Sequence, residues 1–214
     1  MRRIMFNDKF GLTRAVLDGR KTMTRRIVPE SILRMAEMEA DICDGELESY
    51  IKGHTFYCYG EVVAIAQSYK DCWDIYQKQW EARNNPSDWH TPDAILGDQV
   101  QECKGWANKM FVRADLMPHR IRITGIKVER LQDISNEDAM REGVFMYEEP
   151  PFGNEYDRYA PWPPYVRPYK YSNLRYFGEA RFAFAHLIDR ISGRGTWDSN
   201  PLVYAYDFEL VKLN

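Results

Sequence analysis

RIRITGIKVERLQDISNEDAMREGV, Arg120 to Val144, changes periodicity partway along. Ile121, Ile123, Ile126 and Val128 mostly alternate around a break at Gly125, as in a strand bulged at its glycine. Ser135 and Asp138, three apart, form an acidic variant of the capping box that opens a short helix. Gly143 closes that helix directly after Glu142. A strand running into a capped helix sets the alphabet for the rest of the chain.

Working outward, apolar positions Phe10, Leu12, Val16 and Leu17 follow helical spacing, and Gly19 stands where a left-handed cap belongs. KTMTRRIV then reads as a strand. Ser31 to Asp41 is a second expected helix. His54 to Tyr59 and Glu61 to Gln67 are strand candidates, the second containing the buried run VVAIA. A helix is expected over Asp71 to Asn85, a strand over Met110 to Arg113, a helix over Glu179 to Ser192 and a last strand over Leu202 to Leu210. Tyr147 to Tyr176, dense in Tyr, Pro, Trp and Gly, reads as an ordered surface loop whose Trp162, Tyr165, Tyr169 and Tyr171 either pin it or stack on bases. Six or seven short strands with interspersed helices suit a small decorated barrel rather than an alternating βαβ sheet.

The 214 residues suffice for one decorated domain, and no apolar run approaches the ~20 residues that cross a bilayer. A cytoplasmic protein that contacts no membrane is expected. Cys43, Cys58, Cys72 and Cys103 lack any CxxC pair, and no histidine stands at ligand spacing from them, so no metal and no cofactor is expected.

The net charge of −3 excludes a protein that coats nucleic acid indiscriminately, yet the charge is unevenly spread. Residues 1–34 carry nine Lys or Arg against three Asp or Glu, and residues 103–130 carry seven against two. The intervening residues 35–102 carry four against fourteen. The basic segments either fold into one positive groove or make ordinary solvated faces.

Gly19 to Arg26, GRKTMTRR, concentrates the chemistry. As a binding site, Arg25 and Arg26 would fork onto a phosphate or a base edge while Lys21 supplies a point charge. As a catalytic site, Thr24 would be the nucleophile and Lys21 its base, provided burial and the neighbouring arginines lower the lysine pKa. A solvated basic turn is the plain alternative. His119 and Arg120 are candidate phosphate contacts, and Gln67, closing the VVAIA strand, is a candidate at the barrel mouth.

GRKTMTRR resembles the GxKxxTxR signature of the ASCH family, whose members adopt a β-barrel similar to the PUA domain of RNA-modifying enzymes. GEVVAIAQ, the Arg120 to Val144 stretch and TWDSNPLVYAYDFEL resemble, in order, the central strand, the strand and helix ending in Glu-Gly, and the last strand of longer, phage-associated members. The resemblance implies an α+β, mainly β fold: a PUA-like barrel in a single domain over 1–214, with insertions near 30–50, 68–106 and 146–176. Gly19, Lys21, Thr24 and Arg26 match the signature, and Glu142 matches the carboxylate after the short helix. Small members of the family hydrolyse N4-acetylcytidine without metal. By that likeness Thr24 is the nucleophile, Lys21 its base, and Glu142 orients the lysine or handles the leaving amine. The expected ligand is RNA, DNA or a modified nucleoside. The alternatives are the amidohydrolase and a protein-interaction module of a mobile element.

Overall fold

The computed structural model describes residues 1–43, 47–83, 89–147, 158–164 and 175–211. Its strands are β1 (Arg3–Ile4), β2 (Met23–Ile27), β3 (Val62–Ile65), β4 (Arg120–Arg130), β5 (Phe145–Met146), β6 (Tyr159–Ala160) and β7 (Leu202–Val211). Its α-helices are α1 (Leu12–Leu17), α2 (Glu30–Cys43), α3 (Leu47–Gly53), α4 (Tyr69–Arg83), α5 (Pro92–Leu96), α6 (Asn136–Arg141), α7 (Ala180–Ser192) and α8 (Thr196–Ser199). The fold is α+β. Five strands make one mixed sheet in the order β1-β3-β4-β7-β2, and β5 pairs with β6 separately. Among the described residues the sheet does not close into a barrel: β1 and β2 are its edges. Helices also occupy more of the described chain than strands do, which corrects the mainly β expectation.

The chain forms two compact units, and the division falls within β4 and near the end of β7. Unit 1 joins Met1–Phe6, Val62–Arg122 and Leu210–Asn214. In it β1 runs parallel to β3, and β3 pairs antiparallel with the start of β4, Ala64 opposite Arg120. Ala64, Ala66, Tyr69, Cys72, Val112 and Met117 form its core with Leu96 and Val100. Met110–Arg113, expected as a strand, is a 3-10 turn at Lys109–Phe111 followed by extended chain. Asn108 caps that turn by accepting from the Met110 N–H, and Arg3 donates to the Met110 and Val112 carbonyls. These side chains take the bonds that a neighbouring strand would have supplied.

Unit 2 joins Asn7–Glu61 and Ile123–Glu209. β2 pairs antiparallel with β7, Thr24 opposite Tyr206 and Arg25 opposite Ala205. On one face Val203 packs with Leu131, Ile134, Ala139, Val144 and the α7 residues Ala180, Ala183, Phe184 and Ile188. On the other, Tyr204 and Tyr206 are fully buried, and their hydroxyls hold the segment expected as a strand over His54 to Tyr59. Tyr204 donates to the Ile51 or His54 carbonyl, and Tyr206 accepts from the Phe56 N–H at 2.9 Å. That segment is therefore an aromatic hook rather than a strand. Gly125 marks a close approach: a Cβ there would stand 2.6 Å from Asp207 Oδ2.

Of the loop aromatics, Tyr165, Tyr169 and Tyr171 lie outside the described residues. Trp162 is buried, its ring 5.0 Å from Phe10 and 6.0 Å from His186, so it pins rather than presents a stacking face. No helix among the described residues is long and apolar enough to cross a membrane.

Candidate functional site

Two helix ends meet in unit 2. After α1, Gly19 at φ 75° donates to the Val16 carbonyl while the Arg20 N–H reaches back to Ala15, the paired bonds of a Schellman cap. After α6, Gly143 at φ 103° donates to Met140 and Val144 donates to Ala139, the same cap again. The first cap throws Lys21 out of its helix, and the second leaves Glu142 at the helix end. A Cβ on Gly143 would lie 3.2 Å from Leu12 Cδ2 and in ordinary contact with Lys21 Cβ at 3.6 Å, so it is the positive φ that calls for glycine here.

Lys21 Nζ donates to Glu142 Oε2 at 2.6 Å, to the Glu142 carbonyl at 2.7 Å and to the Met23 carbonyl at 2.7 Å. The Met23 carbonyl is available because β2 is a sheet edge. Thr22 accepts from Phe208 and Val28 donates to Leu202, so even-numbered residues bond inward to β7 and odd-numbered carbonyls point outward. Lys21 covers one of those. The Glu142 carbonyl belongs to a helix C-terminus, where a cation is favoured. Lys21 is 2 % exposed and Glu142 4 %, and 121 positions of chain separate them. Burial lowers the Lys21 pKa; Glu142 opposes the shift, and Arg26 and Arg25 add to it.

Arg25, expected to face a ligand, faces protein carboxylates instead. Its Nε and Nη2 donate to Glu129 Oε1 at 2.9 and 2.5 Å, Nη2 to Asp138 Oδ2 at 3.3 Å and Nη1 to Glu142 Oε1 at 3.2 Å. The guanidinium carbon stands 5.9 Å from the Phe184 ring centre. Burial opposes its charge, but Glu142 and Glu129 outweigh burial and move the Arg25 pKa up. Lys127 bridges Glu129 and Asp138 at 3.1 and 3.0 Å, and Arg141 links Asp138 to Asp207. Burial works against ionised Asp138, yet Lys127, Arg25 and Arg141 hold its carboxyl below the usual range. Lys21, Arg25, Lys127 and Arg141 thus stand against Glu129, Asp138, Glu142 and Asp207. The network is charge-balanced from its buried centre, Lys21, Arg25 and Glu142, to its half-exposed rim, Lys127, Arg141 and Asp207, which favours ionised groups at the centre.

Thr24 and Arg26 alternate with Arg25 along β2 and take the face shared with Tyr206 and Tyr204. Thr24 is 5 % exposed, and its hydroxyl makes no hydrogen bond among the described residues, with Lys21 or any other group. Arg26 is half-buried.

Gln67, His119 and Arg120 belong to unit 1. Gln67, 6 % exposed, holds His119 Nδ1 at 2.7 Å from its Oε1, which makes Nδ1 the protonated nitrogen and leaves Nε2 an acceptor. Burial lowers the His119 pKa. Arg120 does not join them: it stands opposite Ala64, one residue out of phase with His119 on the strand. Its Nε is buried without a hydrogen bond.

Sequence reading missed Glu129, Asp138, Lys127, Arg141 and Asp207. Asp138 was assigned to the helix cap, and its backbone N–H does donate to the Ser135 hydroxyl oxygen at 3.0 Å, while its carboxylate serves the cations. The available signal was the alternation of Lys127 and Glu129 along β4, which names a face without saying what covers it. No family model, curated protein or solved structure matches this chain.

Proposed function

We propose that this chain is an ASCH-like protein, related to the PUA barrels, whose Lys21–Glu142 pair is the centre of a binding site for a modified nucleoside. One observation carries the reading: the 2.6 Å contact between two buried groups 121 positions apart. It joins GRKTMTRR to the Glu-Gly after the short helix, the two places that the sequence resemblance marks. Lys21 spends its three donors inside the protein, so a base edge would be read by displacing the bond to the Met23 carbonyl, which would give one donor beside the Glu142 acceptor. A long polyanion fits less well, because Arg25 is engaged by three carboxylates. Cytidine and N4-acetylcytidine titrated against the protein test the proposal. Lys21→Ala and Glu142→Gln are expected to weaken binding tenfold or more. Equal affinity in folded variants would sink it.

A second reading, the amidohydrolase, is favoured by the lowered Lys21 pKa and by a buried Thr24 three positions along from Lys21. The step requires Lys21 to lose a proton to solvent and to swing from the Met23 carbonyl towards Thr24, so that Thr24 Oγ1 can attack the acyl carbonyl and pass its proton to the neutral amine. The amine would leave with a proton relayed by Lys21 or Glu142, and water would then cleave the acyl-threonine ester. Release of cytidine and acetate from N4-acetylcytidine is expected, with Thr24→Ala inactive but still able to bind. Turnover undiminished in Thr24→Ala would exclude this threonine as the nucleophile.

A further inference from the structure

We propose that Arg25 is a positioning residue of the Lys21–Glu142 pair: it fixes the Glu142 carboxylate and thereby sets how tightly Lys21 holds its proton. The inference rests on the reading of that pair as the working centre, and goes beyond the signature match, in which Arg25 falls on a variable position.

Glu142 has two carboxylate oxygens and each has its own cation. Oε2 takes Lys21 at 2.6 Å, and Oε1 takes Arg25 at 3.2 Å. A carboxylate held at both oxygens cannot turn about its terminal torsion, which is otherwise broad and soft. Arg25 can act as the fixed end because three elements hold it. Glu129 on β4 receives Nε and Nη2, Asp138 on α6 receives Nη2, and Phe184 on α7 lies beneath the guanidinium. Its side chain is 1 % exposed. The carboxylates are held in turn by Lys127 and Arg141 nearer solvent.

The charged groups acting on Lys21 are Glu142, which favours the ammonium, and Arg26 and Arg25, which disfavour it. Loss of Arg25 removes a repelling charge and leaves Glu142 to Lys21 alone. Both changes strengthen proton binding at Lys21. A lysine in place of Arg25 keeps the charge but cannot span Glu129, Asp138 and Glu142 at once, because a point charge lacks the planar fork.

The test reads Lys21 directly, by NMR titration of protein carrying 13C-labelled lysine, with the Lys21 signal identified by its loss in Lys21→Arg. In Arg25→Met the Lys21 titration midpoint is expected to rise by at least half a pH unit, about a threefold gain in proton affinity. Arg25→Lys should restore most of the wild-type midpoint while weakening N4-acetylcytidine binding, since charge returns without the clamp. If Arg25→Met does not fold, Glu129→Gln keeps the Arg25 charge but takes away one of its counterions, and should move the midpoint in the opposite sense, downward. An unchanged midpoint in every folded variant overturns the inference, whatever nucleoside the protein binds. Failure of nucleoside binding with the midpoint shifted overturns only the functional reading.

Discussion

The Lys21–Glu142 group in unit 2 is buried and the Gln67–His119 pair in unit 1 joins a buried amide to a half-buried imidazole, and the two are stabilised in opposite ways. Lys21, Arg25 and Glu142 keep charge inside the protein by pairing it with more charge, Glu142 touching both cations and Arg25 three carboxylates. His119 is handled by neutrality: one hydrogen bond to Gln67 sets the tautomer, and burial lowers the pKa. Ionised groups need a network because each unpaired charge costs several kcal/mol, whereas a neutral imidazole needs a single partner. Removal of one member should therefore damage the two regions unequally.

Glu142→Ala should have the largest effect. It leaves Lys21 and Arg25 facing each other without their shared anion, and about 3–5 kcal/mol of stability is expected to disappear in urea unfolding. Glu142→Gln should lose less. Equal, small losses in both would mean that water already reaches this site. Lys21→Met should cost about 2 kcal/mol, because Glu142 retains Arg25 on Oε1.

The same variant sharpens the comparison through pH. The folded Lys21 pKa lies below the ordinary 10.5, so between the two values the unfolded chain binds more protons, and stability rises with pH across that window. Lys21→Met should remove that alkaline rise. A retained rise would assign it to another group.

Gly143→Ala probes the shared geometry rather than the charges. At φ 103°, with Leu12 Cδ2 only 3.2 Å from the added carbon, a loss of about 1–2 kcal/mol is expected in urea unfolding, with the Lys21 titration unchanged. Gln67→Ala should have the smallest effect, about 1 kcal/mol. His119 also has a folded pKa below its unfolded 6.5, so its contribution is present above that value and is lost as pH falls through the folded pKa. His119→Gln should flatten stability on the acid side, and an unaltered acid limb would show that His119 does not set it.

Much of the local structure was readable. The apolar patterns placed β3, β4, α7 and β7 to within a few residues, the capping residues placed α6, and the glycine caps at 19 and 143 were recognisable from their neighbours. The misses share one cause. His54–Tyr59 and Met110–Arg113 have strand composition, but a strand requires a partner edge, and here Tyr206, Arg3 and Asn108 take their backbone groups instead. Of the site, Lys21 and Thr24 were singled out from their own chemistry and Glu142 from motif resemblance, whereas Arg25 was assigned to ligand and its partners Glu129 and Asp138 were passed over. A charged residue on an alternating strand looks the same whether solvent or a buried counterion lies above it.

Short-range order decided by the chain itself includes the two Schellman turns, the Ser135 cap and the alternation that sends Thr24 and Arg25 to opposite faces of β2, because each depends on sterics and hydrogen bonds within a few residues. Only the tertiary structure brought Glu142 to Lys21, passed Arg25 to Glu129 and Asp138, and left the five strands as an open sheet. Those outcomes depend on pairing groups about a hundred positions apart, and on whether a charge is buried with a partner or left in water. No local pattern records that choice, since the favourable Coulomb term and the desolvation cost are both set by what arrives from elsewhere in the chain.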